Sequence, residues 1–321
     1  MKTRKLRNLE VSAVSMGCMG FSHGYGATPD RTESHRLIRF AHDLGCTHFD
    51  TAEGYAAGDN EVLVGEALRP IRHQVSIATK FVILEESAGN TAEQQIRRHL
   101  DASLKRLGVD HVELYYQHRV SDKIPVEVIA ECMGKLIAEG KIGGWGQSQA
   151  SVEQISRAHA ICPLTAIQSE YSLMERMFER DVIPLCKAMN IGFVAFSPMA
   201  SGFLSGRFQA GTRYEGDDVR RVITRFADAN VVSNQPLLDL LRRFAMEKHA
   251  TPAQVSLAWM LAKEDFIVPI PGMRSEARIT ENLGAAQVAL SDAEISALEA
   301  ELAKLDIRGN RTDADIAKLY L

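Results

Sequence analysis

The sequence predicts an α/β fold, a (β/α)8 TIM barrel with an N-terminal β-hairpin and extra C-terminal helices. Three observations carry this. Short apolar runs and longer amphipathic stretches take turns along the 321 residues, as βαβ units require. The apolar runs number eight, at 13–17, 46–49, 75–79, 112–117, 142–147, 165–169, 192–196 and 266–270. Neither GxGxxG nor GxxxxGK[ST] occurs, so the runner-up, an open doubly wound sheet, lacks its usual glycine-rich fingerprint.

Taken in order, residues 2–12 alternate around Asn8-Leu9 and read as a hairpin, a lid on one end of the fold. Leu37, Ile38, Ala41 and Leu44 share one helical face, as do Ile96, Leu100, Leu104 and Leu107. Thr91 with Gln94, Ser151 with Gln154 and Ser291 with Glu294 are capping boxes, in which two polar side chains satisfy orphan backbone donors. Thr251-Pro252 adds proline at a first helical position, where its missing N–H costs nothing. Further helices are expected at 61–68, 126–139, 179–189, 235–248 and 276–286. The segment 197–232 shows no clear period and exceeds an ordinary βα loop, which makes it functional or mobile. No linker, repeat or low-complexity tract interrupts the pattern, so residues 1–321 read as one domain.

The composition, 45% hydrophobic and 24% charged with a net charge of −4, gives no electrostatic case for nucleic acid or an anionic membrane. No apolar run approaches the ~18 residues of a membrane span, and the basic start leads into no apolar segment of a secretory signal. A soluble, cytoplasmic protein is expected. The five cysteines are scattered and no CxxC occurs, so neither a disulfide framework nor a metal site is expected. His42, Asp43 and His48 read as surface residues between a helix and a strand, which leaves a metal-dependent barrel isomerase or hydrolase without ligands.

In such a barrel the loops after the strands build the working face. Asp50, Lys80, His118, Ser148, Gln168, Phe196 and Gly272 close or follow the apolar runs and would converge on one mouth. Singly each has an ordinary reading: a turn cap, a solvated cation, a structural histidine. Tyr55 alone is a packing ring, since a free phenol has a pKa of ~10. Together they address one problem. A phenol protonates a weakly basic oxygen well only if its pKa falls, a nearby ammonium lowers it, and an aspartate holds that ammonium in place.

Met16-Gly17-Cys18-Met19-Gly20, Asp50-Thr51-Ala52-Glu53-Gly54-Tyr55, Asn60-Glu61, Ala78-Thr79-Lys80 and Tyr116-Gln117-His118-Arg119 follow one another along the chain. Gly140-Lys141-Ile142, Gln168-Ser169-Glu170-Tyr171, Phe196-Ser197-Pro198 and Ile270-Pro271-Gly272 with Glu281-Asn282 complete the order. This ordered set resembles the aldo-keto reductase family, in its long-chain bacterial form. The resemblance implies a barrel that binds NADP(H) in an extended pose across the strand ends and reduces a small-molecule carbonyl substrate, an aldehyde or ketone. It implies Tyr55 as general acid, Lys80 to lower its pKa, Asp50 to pair with Lys80, and His118 to orient the carbonyl. By the same resemblance Ser148, Gln149 and Gln168 would bind the carboxamide. Phe196, followed by Ser197, would stack on the nicotinamide, and Gly17, Cys18 and Met19 would lie against the cofactor.

Gly272, Met273, Arg274 and Arg278 match the adenosine-phosphate clamp, the arginines suiting a 2′-phosphate, with Glu281 and Asn282 reaching the adenine. The other function class is a cofactor-binding subunit on the same scaffold that serves as a partner or redox sensor. Some positions depart from the family pattern. Gln147 stands where an apolar residue is usual, Ser121 where aspartate is common, and Ser201 lies in an altered loop. The tail 312–321 matches nothing in the family. Loops 21–26, with His23 and Tyr25, and 197–232 would shape the substrate pocket.

Overall fold

A computed structural model describes residues 1–87 and 89–312; the tail that matched no family pattern lies, apart from Thr312, outside the described residues. The chain begins with β1 (Thr3–Leu6) and β2 (Leu9–Ser12), an antiparallel hairpin apart from the main sheet. Strands and helices then alternate: β3 (Met16–Gly17), α1 (Arg31–Asp43), β4 (His48–Asp50), α2 (Asp59–Leu68), β5 (Ser76–Phe81) and α3 (Ala92–Leu107). The order continues through β6 (Leu114–Gln117), α4 (Val126–Ala138), β7 (Trp145–Ser148), α5 (Val152–Ile161), β8 (Ala166–Glu170) and α6 (Val182–Ala188). The last part holds β9 (Gly192–Phe196), α7 (Asp228–Ser233), α8 (Gln235–Glu247), α9 (Pro252–Lys263), β10 (Ile267–Pro269), α10 (Glu276–Gly284) and α11 (Asp292–Leu302).

Strands β3 to β10 pair in parallel in sequence order. The ring closes where Ser15 N–H donates to the Pro269 carbonyl at 3.0 Å and Gly17 N–H to Pro271 at 3.2 Å. Each of the eight expected apolar runs thus contains a strand of a (β/α)8 barrel. Several strands run further than expected, so Asp50, Lys80 and Ser148 belong to strands rather than to the loops after them. The capping boxes at Thr91, Ser151 and Ser291 form, and Thr251 makes another with Gln254. The helix expected from 179 starts later, at Val182, because Asp181 caps it.

The pleat of the strands sorts their side chains. Ala78, Leu114, Tyr116, Ala166, Val194 and Val268 form an inner cluster, completed by Leu6 and Val11 of the hairpin. The hairpin therefore plugs the end of the barrel opposite the strand C-termini. Tyr116 fits because Gly146 stands beside it: a Cβ at Gly146 would come within 2.5 Å of the Tyr116 ring and 2.3 Å of the Ala166 carbonyl. Neighbouring strand residues such as Ile77, Tyr115, Trp145 and Phe193 face the helices. Gln147 is also buried, and its amide donates to Gln117 Oε1 at 3.0 Å, a polar pair on adjacent strands. His48 is a correction: it is fully buried, its Nδ1 2.7 Å from Ser76 Oγ on the next strand. The apolar run that carries it takes it into the sheet.

The segment 197–232 is held by its own packing. Phe203, Phe208, Tyr214 and Phe226 form edge-on and tilted ring contacts, and the Arg220 guanidinium lies 4.8 Å from Phe208 and 4.7 Å from Tyr214. After α11 the chain runs back along this segment. Arg308 N–H donates to Asn234 Oδ1 at 2.9 Å, and Asn310 N–H donates to Thr224 Oγ1 at 3.0 Å.

Candidate active site

Asp50, Lys80, Tyr55 and His118 meet at the C-terminal mouth of the barrel. Lys80 is fully buried in β5, and its ammonium forms a short ion pair with Asp50 Oδ1. It also donates to the Thr51 carbonyl at 2.8 Å and to the Tyr55 hydroxyl at 3.4 Å. The other Asp50 oxygen accepts from Gln168 Nε2 at 2.8 Å, across the barrel from β8. Tyr55 is partly exposed, and its ring stands edge-on to His118 with centroids 5.9 Å apart. His23 packs on the ring's other surroundings, 5.4 Å away.

Local structure fixes these positions. Glu53, two residues before Tyr55, accepts from Val82 N–H at 2.9 Å and pairs with His99 at 2.8 Å, which pins the loop after β4. Asn60, at the start of α2, accepts from Thr51 Oγ1 at 2.6 Å and donates to the Cys18 carbonyl at 3.0 Å, joining two strand ends. Ala56, Ala57, Gln149, Ser197, Ala200 and Ser201 all have positive φ, and all lie in loops after barrel strands. Such backbone costs free energy and concentrates at functional sites.

Burial pushes the Tyr55 phenol up; Lys80 opposes this, and Asp50 adds to it. The net lowering expected from the ammonium is therefore not found: desolvation outweighs it. The phenol is protonated at pH 7, and the Lys80 ammonium lies where it favours the phenolate form. Lys80 itself is lowered by burial, but Asp50 and Tyr55 together raise it further, so it remains an ammonium. Burial holds His118 well below the ordinary imidazole value, and the charges of Lys80, Arg119 and Arg311 act the same way. It is neutral at pH 7.

A cleft of about 500 Å³ runs past Ser197 and Gly272 to Arg274, Arg278 and Asn282; Asp50, Tyr55, Lys80 and His118 are not among its lining residues. A Cβ at Gly272 would meet nothing within 4 Å, so the cleft is open there. Arg274 donates to the Ala27 and Tyr25 carbonyls at 2.8 and 3.0 Å, which ties it to the loop after β3. Arg278 donates to Glu281 Oε2 at 2.6 Å, and Arg207 approaches the same oxygen at 3.5 Å. Ser201 receives the Tyr25 hydroxyl at 3.5 Å, and Ser121 tethers its loop to the Leu84 carbonyl.

Cys18 and Met273, expected against the cofactor, are fully buried and do not line the cleft, and burial pushes the Cys18 thiol far up. Met19 is partly exposed beside Gly24. Gln149 Oε1 is buried without a hydrogen-bond partner among the described residues, a free acceptor for an amide N–H. Gln168 gives one amide N–H to Asp50 Oδ2, which leaves its second N–H and its oxygen for other partners. A larger cavity, about 750 Å³, lies at the opposite end beneath the hairpin, away from every strand-end candidate. Among the described residues no group of three His, Cys, Asp or Glu could hold a metal. None of their helices is long and apolar enough to cross a membrane. His23, expected in a loop shaping the pocket, packs against Tyr55; the bridging role of Asn60 and the approach of Arg311 to Phe196 left no mark in the sequence, because each depends on contacts between distant segments.

Barrel and strand-end constellation together define an oxidoreductase scaffold. The aldo/keto reductase family model matches residues 13–303, and the chain belongs to that family. A probable aldo-keto reductase 1 from Glycine max is 36% identical over 310 residues, covering 95% of this chain and 89% of the relative. A glycerol dehydrogenase from Gluconobacter oxydans superposes with a TM-score of 0.85 at 26% identity, covering 97% of both chains. An aldo/keto reductase from Klebsiella pneumoniae, solved with NADP and acetate, superposes at 0.74 with 28% identity, covering 98% of this chain and 99% of that one.

Proposed function

We propose that this protein is an NADPH-dependent reductase of aldehyde or ketone carbonyls, with Tyr55 as general acid. The observation that carries this is the Tyr55 hydroxyl 3.4 Å from a fully buried ammonium that Asp50 neutralises. Bound NADPH supplies a hydride from its dihydronicotinamide. Tyr55 gives its hydroxyl proton to the carbonyl oxygen, so that carbonyl, NADPH and one proton become alcohol and NADP⁺. Lys80 stabilises the phenolate left behind, and Asp50 keeps Lys80 in position. Neutral His118, edge-on to Tyr55, directs the carbonyl oxygen toward the phenol.

The cleft, which begins at Ser197 next to Phe196 in the chain, suits the phosphate end of an extended dinucleotide, and the strand ends suit its nicotinamide end. The unpartnered Gln149 oxygen suits a carboxamide N–H₂, Phe196 offers an aromatic face, and the α10 N-terminus with Arg278 suits a phosphate. NADP in a relative of the same fold supports this choice. Five reduced, buried thiols suit a cytoplasmic setting.

The test follows NADPH absorbance with a panel of small aldehydes and ketones. Turnover of at least one is expected. NADPH binding without turnover on any of them would instead indicate a cofactor-binding partner subunit.

A further inference from the structure

Tyr55 keeps its hydroxyl 3.4 Å from Lys80, yet its own stretch of chain does little to hold it there. Gly54, Ala56 and Ala57 beside it are exposed, and Ala56 and Ala57 both have positive φ. The ring is therefore held by what touches it. His118 stands edge-on at 5.9 Å, and the Lys80 ammonium lies 5.1 Å from the ring centroid. His23 meets the ring at 5.4 Å, with its plane tilted by 50°. Aromatic pairs have preferred geometries, so a fixed ring restrains the tilt of its neighbour.

His23 is itself fixed from several segments. Its backbone N–H donates to the Met19 carbonyl at 3.2 Å. On one side of it, Ser22 Oγ accepts from Asn60 Nδ2 at 2.9 Å, and the same Asn60 accepts from Thr51 Oγ1 in the loop that carries Tyr55. On the other side, Gly24 N–H donates to Asp217 Oδ2 at 2.7 Å, 193 positions away, and the Gly24 carbonyl accepts from Val219 N–H at 3.0 Å. Gly24 takes φ +90°, which glycine adopts at no steric cost. The Tyr25 and Ala27 carbonyls that follow accept from Arg274. The 197–232 segment thus grips the residue next to His23, and His23 presses on Tyr55.

We infer that His23 is a positioning residue for Tyr55: its ring, fixed through Gly24 by Asp217 and Val219, keeps the phenol aimed at Lys80. This rests on the reductase reading and deepens it by adding a residue that moves no proton. The role needs a ring at position 23 and not an imidazole nitrogen. A misplacement of about 1 Å can cost ~10²-fold in rate, which gives the ring contact its weight.

The test compares full-length wild type, His23→Ala, His23→Phe, Asp217→Ala and the double variant His23→Ala, Asp217→Ala. Single-turnover rates are measured with NADPH and the carbonyl that the wild type reduces fastest, and NADPH affinity is measured in parallel. His23→Ala should lower the rate about 10–100-fold with NADPH affinity kept, and His23→Phe should restore most of it. Asp217→Ala should lose less than His23→Ala, and the double variant no more than His23→Ala, because the grip acts through that ring. An unchanged rate in either single alanine variant overturns the inference. So does a His23→Phe as slow as His23→Ala, a loss confined to NADPH affinity, or losses that multiply in the double variant.

If the wild type reduces no carbonyl, the reductase reading fails separately, and crystal structures of wild type, His23→Ala and His23→Phe decide. A Tyr55 hydroxyl that leaves Lys80 in His23→Ala alone supports the positioning role. One that stays in His23→Ala, or leaves equally in His23→Phe, overturns it.

Discussion

Asp50 serves two partners at once: Oδ1 holds the Lys80 ammonium, and Oδ2 accepts from Gln168 at 2.8 Å across the barrel. The carboxylate thereby links β4, β5 and β8, and its loss removes more than a counter-charge. Asp50→Asn leaves a buried ammonium uncompensated and is expected to cost about 3–5 kcal/mol. The double variant Asp50→Asn, Lys80→Met should recover part of this. Denaturant midpoints of the single and double variants check it, and equal losses in both would contradict the pairing.

Burial lowers His48 to about 4, and burial also lowers His23 and His118. Between the unfolded value near 6.5 and these folded values, the unfolded chain binds more protons, so stability rises with pH. Acidification from pH 6.5 toward 4 should therefore weaken the fold, with His48 contributing on the order of 3 kcal/mol. His48→Asn should flatten that part of the curve. Urea melts across this range measure it, and identical slopes in the two proteins would contradict it.

Arg278 stands at the α10 end of the cleft with Glu281 as its partner. Arg278→Ala should weaken NADPH binding about tenfold or more and leave NADH nearly unchanged, because only NADPH carries the 2′-phosphate. Fluorescence titration with both cofactors checks this, and equal losses would remove the phosphate assignment.

Leu6 is fully buried in the barrel's inner cluster, and a Cβ at Gly192 would come within 2.5 Å of it. Leu6→Ala should destabilise the protein by about 2–5 kcal/mol through the cavity it leaves. Turnover at low temperature should persist, since the plug lies at the far end from Tyr55. Thermal melting and steady-state rates check the two halves.

The fold was legible because the strands are apolar runs bounded by polar strand ends, and because Thr91, Ser151, Thr251 and Ser291 announce helix starts through local bonds. Asp50, Lys80 and His118 were visible as strand-end residues for the same reason. What escaped depends on distance along the chain. The turns before α7 are held by Arg220, Phe208 and Tyr214 meeting in space, and α7 itself by Asp228 accepting from Gly211 N–H, with no periodic signature. Arg311 reaches Phe196 from 115 positions away in the chain. His48 looked exposed by type, yet its Ser76 partner lets a polar ring sit inside the sheet. The direction of the Tyr55 shift also escaped, since the desolvation that decides it is a property of the folded mouth.

The central claim is that the phenol beside Lys80 delivers the proton. The most direct measurement is the single-turnover rate of carbonyl reduction in wild type and Tyr55→Phe, with NADPH affinity measured in parallel. The expected result is a rate about 10²–10⁴-fold lower in the variant with NADPH still bound. A variant that reduces the carbonyl at the wild-type rate would contradict it.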